Sequence, residues 1–168
     1  MNESKHNLKK SYKQFNKIVT ISLLAGILVI SSFLIFLIIN PEPGFITFSV
    51  LNEEQKMQSY PTNATIGENI SFYAAVDNHL GKDLTFNVKI LKGDNNTIIN
   101  ETGCYDALLN STIGNYTLND KQFWISEQLK ITFYSIGLRI IILELCVVPQ
   151  FGIENFYDVL TLHLNITS

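Results

Sequence analysis

Hydrophobic residues are arranged in two different ways along this chain. From Ile18 to Ile39 they form a run of 22 residues that contains no charge. At about 1.5 Å of rise per residue, a helix of that length reaches roughly 33 Å, enough to cross a bilayer core of about 30 Å. From Phe45 onward hydrophobic and polar residues alternate instead, as in half-buried β-strands. The pattern predicts one membrane-spanning helix followed by a domain built of strands.

The alternation predicts about seven or eight short strands. The runs that begin at Ile70 and Leu84 are joined by a turn rich in polar residues, which predicts a hairpin. The run from Leu138 to Val148 is apolar on both faces, so we expect a central strand. Residues 97–122 are less periodic and predict short edge segments and loops. The predicted strands are Phe45–Leu51, 70–77, 84–90, 123–125, 129–134, 138–148 and 157–166.

This arrangement predicts an all-β fold, an immunoglobulin-like antiparallel β-sandwich, with a barrel as the alternative. The predicted organisation is a basic tail at 1–17, a transmembrane helix at 18–39, a linker at 40–44 and the sandwich at 45–168. The linker is stiff because it contains two prolines. Its five residues span at most about 17 Å, so we expect the sandwich to begin close to the lipid headgroups.

The distribution of charge predicts an orientation. The first 17 residues contain five lysines and one acidic residue, and no further lysine follows the apolar run until Lys56. Positive residues at one end of a spanning helix favour the cytoplasmic side, so we expect the domain outside the cell. A cleaved signal peptide is the alternative, but its apolar region is only about 7 to 15 residues long. A buried helix of a soluble protein would require a core that so short a chain can hardly form.

Seven Asn-x-Ser/Thr sequons in the predicted exterior domain agree with this orientation, because such sites are N-glycosylation acceptors in secreted chains. Both cysteines, Cys104 and Cys146, also lie in this domain, where a disulfide is permitted. Closing a loop of about 43 residues would contribute roughly 4 kcal/mol in the chain-entropy model. Two buried free thiols are the alternative. The predicted glycosylation sites are Asn63, Asn69, Asn95, Asn100, Asn110, Asn115 and Asn165.

Two segments carry a family resemblance. The run from Tyr60 to Asn69, YPTNATIGEN, and the strand that ends in Val76–His79 resemble an uncharacterised archaeal family of membrane proteins with a β-sandwich module. The similarity continues in Tyr157, Leu160, Leu162 and His163 and covers roughly residues 45–166. The resemblance implies a sandwich fold and an archaeal origin. It supplies no catalytic residues.

Residues capable of chemistry are scattered. His79, in a predicted turn, and His163, on a predicted strand, have no closely spaced second ligand, so neither predicts a zinc site, and we expect no metal or cofactor. The carboxylates Asp77, Asp83 and Asp94 fall in predicted turns, where they bind the turn backbone more often than calcium. Glu144 interrupts the most apolar strand. We expect it to face solvent on the outer side of the sheet, the alternative being burial against Arg139 or Lys130.

These features favour a module anchored in the lipid bilayer that contacts an envelope or membrane protein, or a glycan, at the cell surface and performs no catalysis. The nearest alternative is an accessory subunit of a larger membrane complex, since Ala25, Gly26, Ser31 and Ser32 would allow close helix packing. An ectodomain enzyme is a further alternative. Few and unclustered basic residues in the domain argue against nucleic acid as a partner.

Overall fold

The structure is a computed structural model that describes residues 2–40, 43–149 and 152–168. The chain divides into two units, Met1–Pro43 and Gly44–Ser168. The first contains the helix α1 (Asn2–Ile39). The strands of the second are β1 (Phe45–Leu51), β2 (Asn63–Thr65), β3 (Asn69–His79), β4 (Leu84–Gly93), β5 (Ile98–Asn100), β6 (Gly103–Tyr105), β7 (Leu108–Leu118), β8 (Phe123–Ile125), β9 (Leu129–Thr132), β10 (Gly137–Val147) and β11 (Asn155–Thr167).

Helix α1 contains the predicted apolar helix and continues it toward the N-terminus, so the basic segment belongs to the same helix. The part from Tyr12 to Ile39 is long and apolar enough to cross a membrane, and none of it is buried. A signal sequence has the same properties, so length and composition alone do not distinguish the two. The helix ends at Ile39. The backbone and side-chain nitrogens of the next residue, Asn40, both donate to the carbonyl oxygen of Phe36, at 2.9 and 3.1 Å.

The second unit is an immunoglobulin-like sandwich of two sheets. In the smaller sheet, β3 pairs with β1, β8 and β9 in antiparallel fashion. The larger sheet has the order β2-β11-β10-β4-β7 and is antiparallel apart from the parallel pair of β2 and β11. A small hairpin of β5 and β6 is not paired with a strand of either sheet. The all-β fold is therefore confirmed, and β10 is the central strand that the apolar run at 138–148 predicts.

One core lies between the two sheets. The alternating apolar residues of β3 and β4 all face it, including the fully buried Phe72 and Phe86. The hairpin predicted between these two strands is wrong, because β3 belongs to the smaller sheet and β4 to the larger one. Residues 80–83 carry the chain from one sheet to the other. Both strands can thus turn their apolar faces to the same core without pairing with each other.

Strand β7 is longer than the short edge segments predicted for this region. It has 11 residues and pairs with β4 from Leu84 to Lys92. Two β-bulges interrupt this pairing, so that Asn110 and Asn115 have no opposite residue on β4. Each bulge shifts the alternation of inward and outward residues by one position. The apolar period of two is lost for that reason, and the strand resembles a loop in the sequence.

Candidate functional site

The outer face of the smaller sheet carries an exposed aromatic surface at one end. That end, where β1 begins and β3 finishes, is called the base of the sandwich here. Phe45 of β1 is opposite His79 of β3, and their rings are stacked with centroids 4.8 Å apart. Nε2 of His79 lies 2.9 Å from Oδ2 of Asp77, which is itself opposite Phe123 of β8. Phe45 and Phe123 are 56% and 58% exposed, so two accessible phenyl rings flank a histidine–carboxylate pair.

A buried asparagine holds the base in shape. The side-chain amide of Asn78 donates to the carbonyl oxygens of Lys82, Leu118 and Asn119, at 2.8 to 3.1 Å. Its Oδ1 accepts a hydrogen bond from the backbone of Leu80. These four contacts tie the turn after β3 to the turn after β7. The neighbouring Asp77 and His79 are thereby held in strand geometry, which corrects the prediction that both lie in a turn.

A second polar cluster lies on the outer face of the larger sheet. Glu144 is only 7% exposed, so the expectation that it faces solvent is wrong. The alternative, burial against a partner, is confirmed as to burial, but the partner is neither Arg139 nor Lys130. Its Oε1 accepts a hydrogen bond from the backbone N–H of Cys104, 2.6 Å away, because the β5–β6 hairpin folds over this face. The apolar residues under the hairpin are Leu91, Ile140 and Ile142, with Cys104, Ala107 and Val159 packed against them.

Glu154 extends this cluster. It forms an ion pair with Lys89, and its Oε2 accepts a hydrogen bond from Nδ2 of Asn87 at 2.9 Å. The hydrogen bonds from Lys89 and Asn87 lower the pKa of Glu154 to about 2. The other side-chain atom of this amide, Oδ1 of Asn87, is buried and has no hydrogen-bond partner among the described residues. Gly114 of β7 lies against Asn87, where any larger residue would collide with it.

Both cysteines are free thiols in the structure and belong to this cluster. Burial, together with hydrogen bonding to Glu144 and Glu154, raises the pKa of Cys104 and of Cys146 to about 12. A protonated thiol is a poor nucleophile, so this environment does not favour covalent catalysis. Both thiols lie outside the core between the sheets, unlike a central immunoglobulin disulfide. The bridge between them stays a prediction.

All seven predicted glycosylation sites are exposed. Asn63 and Asn165 are neighbours in the pairing of β2 with β11. Asn95 precedes the β5–β6 hairpin, and Asn100 lies within it. Asn110 and Asn115 are the bulge residues of β7. On the smaller sheet only Asn69 occurs, at the opposite end from the base, where its Oδ1 accepts a hydrogen bond from Thr132. The base of the smaller sheet is therefore free of sequons.

The residues that carry the family resemblance have structural roles. The hydroxyl of Tyr60 donates to the carbonyl oxygen of Val50 at 2.6 Å. The carboxylate of Glu68 accepts hydrogen bonds from the backbone and hydroxyl of Thr65, and these bonds lower its pKa. The nitrogen of Gly67, a residue with φ of 80°, donates to Phe133. This segment connects β2 of the larger sheet to β3 of the smaller one. Its polar contacts are accounted for by this structural role, and no ligand is needed to explain them.

Other candidates for chemistry remain separate. His163 is exposed on β11, and Asp94 binds the backbone of Asn96 in its turn, as expected. In the described ranges no three His, Cys, Asp or Glu residues are placed to hold a metal ion. Two clefts occur at the end opposite the base. One, of about 440 Å³, is lined mainly by polar residues that include Glu53, Glu54 and Glu68, and one, of about 390 Å³, lies beside Arg139.

The aromatic surface at the base was not evident from alternation alone. The sequence does contain an indication of this surface, because Phe45 and Phe123 are large apolar residues at positions that face outward. Their place beside each other becomes visible only once β3 is known to pair with both β1 and β8.

Comparison with known proteins bears on the fold only. No protein-family profile and no curated protein matches the sequence. A CARDB domain from Pyrococcus furiosus, crystallised in complex with di-metal ions, is 14% identical, with a TM-score of 0.48 over 75% of this chain and 90% of that one. The NMR structure of a CARDB domain from the same organism is 15% identical, with a TM-score of 0.47 over 74% of this chain and 96% of that one.

A β-glucosidase from Listeria innocua has a TM-score of 0.50 at 9% identity, over 73% of this chain. The match extends over 16% of the enzyme, so it concerns fold and says nothing of activity. The sandwich fold implied by the family resemblance is confirmed by the two sheets of the second unit. The archaeal family itself is not matched and stays a prediction.

Proposed function

We propose that this protein is a membrane-anchored module that lies outside the cell and contacts another protein, or a glycan, of the cell surface without catalysing a reaction. The observation that carries the proposal is the division of the chain into an apolar helical segment, Tyr12–Ile39, in which no residue is buried, and a domain with its own core. An apolar helix exposed on all sides is stable in lipid, where its backbone groups are satisfied internally. The lysines before it and the exposed sequons after it support an exterior domain.

The contact surface we assign is the base of the smaller sheet. Exposed aromatic residues are enriched at protein interfaces, where they supply much of the binding energy. Phe45 and Phe123 offer such rings on either side of Asp77 and His79, which can supply hydrogen bonds. Since Asn69 is the only sequon on this sheet and lies at its other end, attached glycans would leave the base accessible.

Sidedness is tested by adding protease to intact cells that make the full chain with a C-terminal epitope. We expect the epitope to be lost from intact cells and an N-terminal epitope to survive. A protected C-terminal epitope would disprove the exterior location. Release of the whole domain into the medium, with a new N-terminus near residue 40, would show a cleaved signal sequence instead of an anchor.

The contact is tested by gentle solubilisation and pull-down with Phe45→Ser and Phe123→Ser. We expect a stoichiometric partner with the wild-type chain and a loss of about tenfold or more in recovery for each variant, the size typical of an aromatic hot spot. Ile136→Ser is the matched control, because Ile136 is equally exposed at the other end of the sandwich. Equal losses in all three variants would contradict the assigned surface.

The second candidate, an accessory subunit bound through its helix, rests on Gly26, around which the structure leaves open space. A partner helix could approach closely there. Gly26→Leu separates the two proposals, since it should abolish capture of a helix-bound complex and leave binding through the base unchanged.

A further inference from the structure

Strand β7 forms an open edge of the larger sheet. It pairs with β4 on one side, and no other described strand pairs with its second side. An unpaired edge exposes a row of N–H and C=O groups that can pair with another chain, and proteins usually protect it with charges, proline or a short strand. The sequence of β7, LLNSTIGNYTL, has no charged residue and no proline over 11 positions. Its composition therefore favours edge-to-edge association.

The other edges of the sandwich are better protected. Strand β2, at the opposite edge of the larger sheet, has only three residues. On β1, the carbonyl oxygen of Val50 already accepts a hydrogen bond from Tyr60. Strands β8 and β9 are three and four residues long. Strand β1 is also uncharged but has only seven residues. At eleven residues, β7 is the longest uncharged open edge among the described strands, and nothing in its own sequence protects it.

The two bulges of β7 coincide with two sequons. Asn115 is the extra residue of one bulge, because its neighbours Gly114 and Tyr116 are opposite the consecutive residues Asn87 and Phe86. Asn110 is likewise the extra residue between Leu109 and Ser111. In both cases the required threonine follows two positions later, as Thr112 and Thr117. Each sequon in this strand thus begins at a residue that the sheet leaves unpaired.

The bulge positions suit a large attached group. Both asparagines are exposed, and neither faces a cross-strand neighbour that a glycan would displace. Asn115 has φ of 59°, a left-handed conformation that asparagine adopts more readily than most residues. Its side chain has no hydrogen-bond partner within the described residues, and Asn110 reaches only Ser111, at 3.4 Å. Both amide nitrogens are accessible for modification.

We propose that N-linked glycans on Asn110 and Asn115 cover the open edge of β7 and prevent it from pairing with the same edge of a second copy. The inference rests on the proposed exterior location of the domain. In the reaction, Nδ2 of asparagine bonds to the anomeric carbon of an oligosaccharide carried on a lipid phosphate. The bond from that carbon to the phosphate oxygen breaks, the lipid phosphate leaves with the electron pair, and the amide loses one proton to a base of the transferase.

Glycopeptide mass spectrometry of the full chain from glycosylating cells is the first test. We expect glycans on both Asn110 and Asn115. If sequons elsewhere carry glycans and these two do not, the shielding inference is overturned while the exterior location stands. If all seven sequons are unmodified, the exterior location fails as well, and the inference fails with it.

Mass measurement in detergent is the second test. The glycosylated wild-type chain should be monomeric, and the double variant Thr112→Ala/Thr117→Ala should shift to twice the protein mass. Removal of a sequon from another strand, by Asn165→Gln, is the matched control and should leave a monomer. Because the double variant also loses the contact of Thr117 with Thr85, the wild-type chain made in a bacterium without a transferase provides the same comparison with no mutation.

A lysine on the edge identifies the surface that associates. In the unglycosylated chain, Ser111→Lys should restore the monomer, whereas His163→Lys on β11 should not, since only the first places a charge on β7. A monomeric unglycosylated chain, or a dimer that both lysine variants leave intact, would overturn the proposal.

Discussion

The side-chain amide of Asn78 donates a hydrogen bond to the carbonyl oxygen of Leu118, 3.0 Å away, although the two residues are 40 positions apart. Asn78 is fully buried, and its amide also bonds the carbonyl groups of Lys82 and Asn119. A change to an acceptor would remove this donor from all three carbonyls, and among them Asn119 would keep the backbone N–H of Gln122. We expect Asn78→Asp to lower the free energy of unfolding by about 2 to 4 kcal/mol. Denaturation followed by the fluorescence of Trp124, the only tryptophan, reports on the sandwich alone.

Asn119→Asp is the matched control for this variant. It makes the same chemical change in the turn that Asn78 binds, but at an exposed side chain, and should alter stability by less than about 0.5 kcal/mol. If the two variants changed the free energy of unfolding equally, the buried amide of Asn78 would contribute no more to stability than an exposed one.

Glu144 fixes the β5–β6 hairpin through the backbone of Cys104. Glu144→Ala removes the acceptor, so we expect faster amide hydrogen exchange in residues 98–105 and little change in β3. Glu144→Gln keeps an acceptor oxygen and should retain more of the protection. If exchange in the hairpin were the same in all three proteins, the hydrogen bond would not be what holds it.

Glu154 should make the free energy of unfolding depend on pH in the acidic range. Its pKa is about 2 in the folded domain against 4.5 for the free side chain, so the unfolded chain takes up the proton first. The stabilisation is complete above about pH 5 and declines as pH falls toward 2. Because the ion pair is about one-third exposed, we expect the wild-type chain to lose only about 1 to 2 kcal/mol more than Glu154→Gln between pH 6 and pH 2.5. If the free energy of unfolding fell by the same amount in both proteins over this pH range, the prediction would be wrong.

Cys104 and Cys146 are predicted to form a disulfide in protein exported to an oxidising compartment. Alkylation under denaturing conditions, with and without prior reduction, should then label both thiols only after reduction. Reduction should also lower the free energy of unfolding, by up to about 4 kcal/mol in the chain-entropy model. Immediate labelling of both residues in the unfolded, unreduced chain would instead show two thiols that burial alone keeps inert.

The alternation of apolar residues was sufficient to predict β1, β3, β10 and β11 nearly to the residue. These strands are half-buried or central, and their side chains follow the faces of the sheets. The pairing of strands was harder to predict. A hairpin from β3 to β4 and a crossover between sheets produce the same alternation, since in both cases the apolar faces reach the core.

Features that depend on distant segments were not predictable. Glu144 looks like a solvent-facing residue within its own strand, and only the hairpin around Cys104, 40 positions earlier, buries it. Asn78 looks like an ordinary turn residue, because its partners lie in the turn after β7. Local patterns report on local geometry, and these two side chains are fixed by loops that fold over them.

The parallel pairing of β2 with β11 determines when the domain can be completed. Asn63 lies beside Asn165, so a segment made early in synthesis must wait for about a hundred further residues before its neighbour exists. Contacts of such wide separation form slowly. Until β11 arrives, β10 is paired with β4 alone, and its second edge is open to water or to chaperones. Closure of the sandwich is therefore a late event that follows delivery of nearly the whole domain across the membrane we propose it crosses.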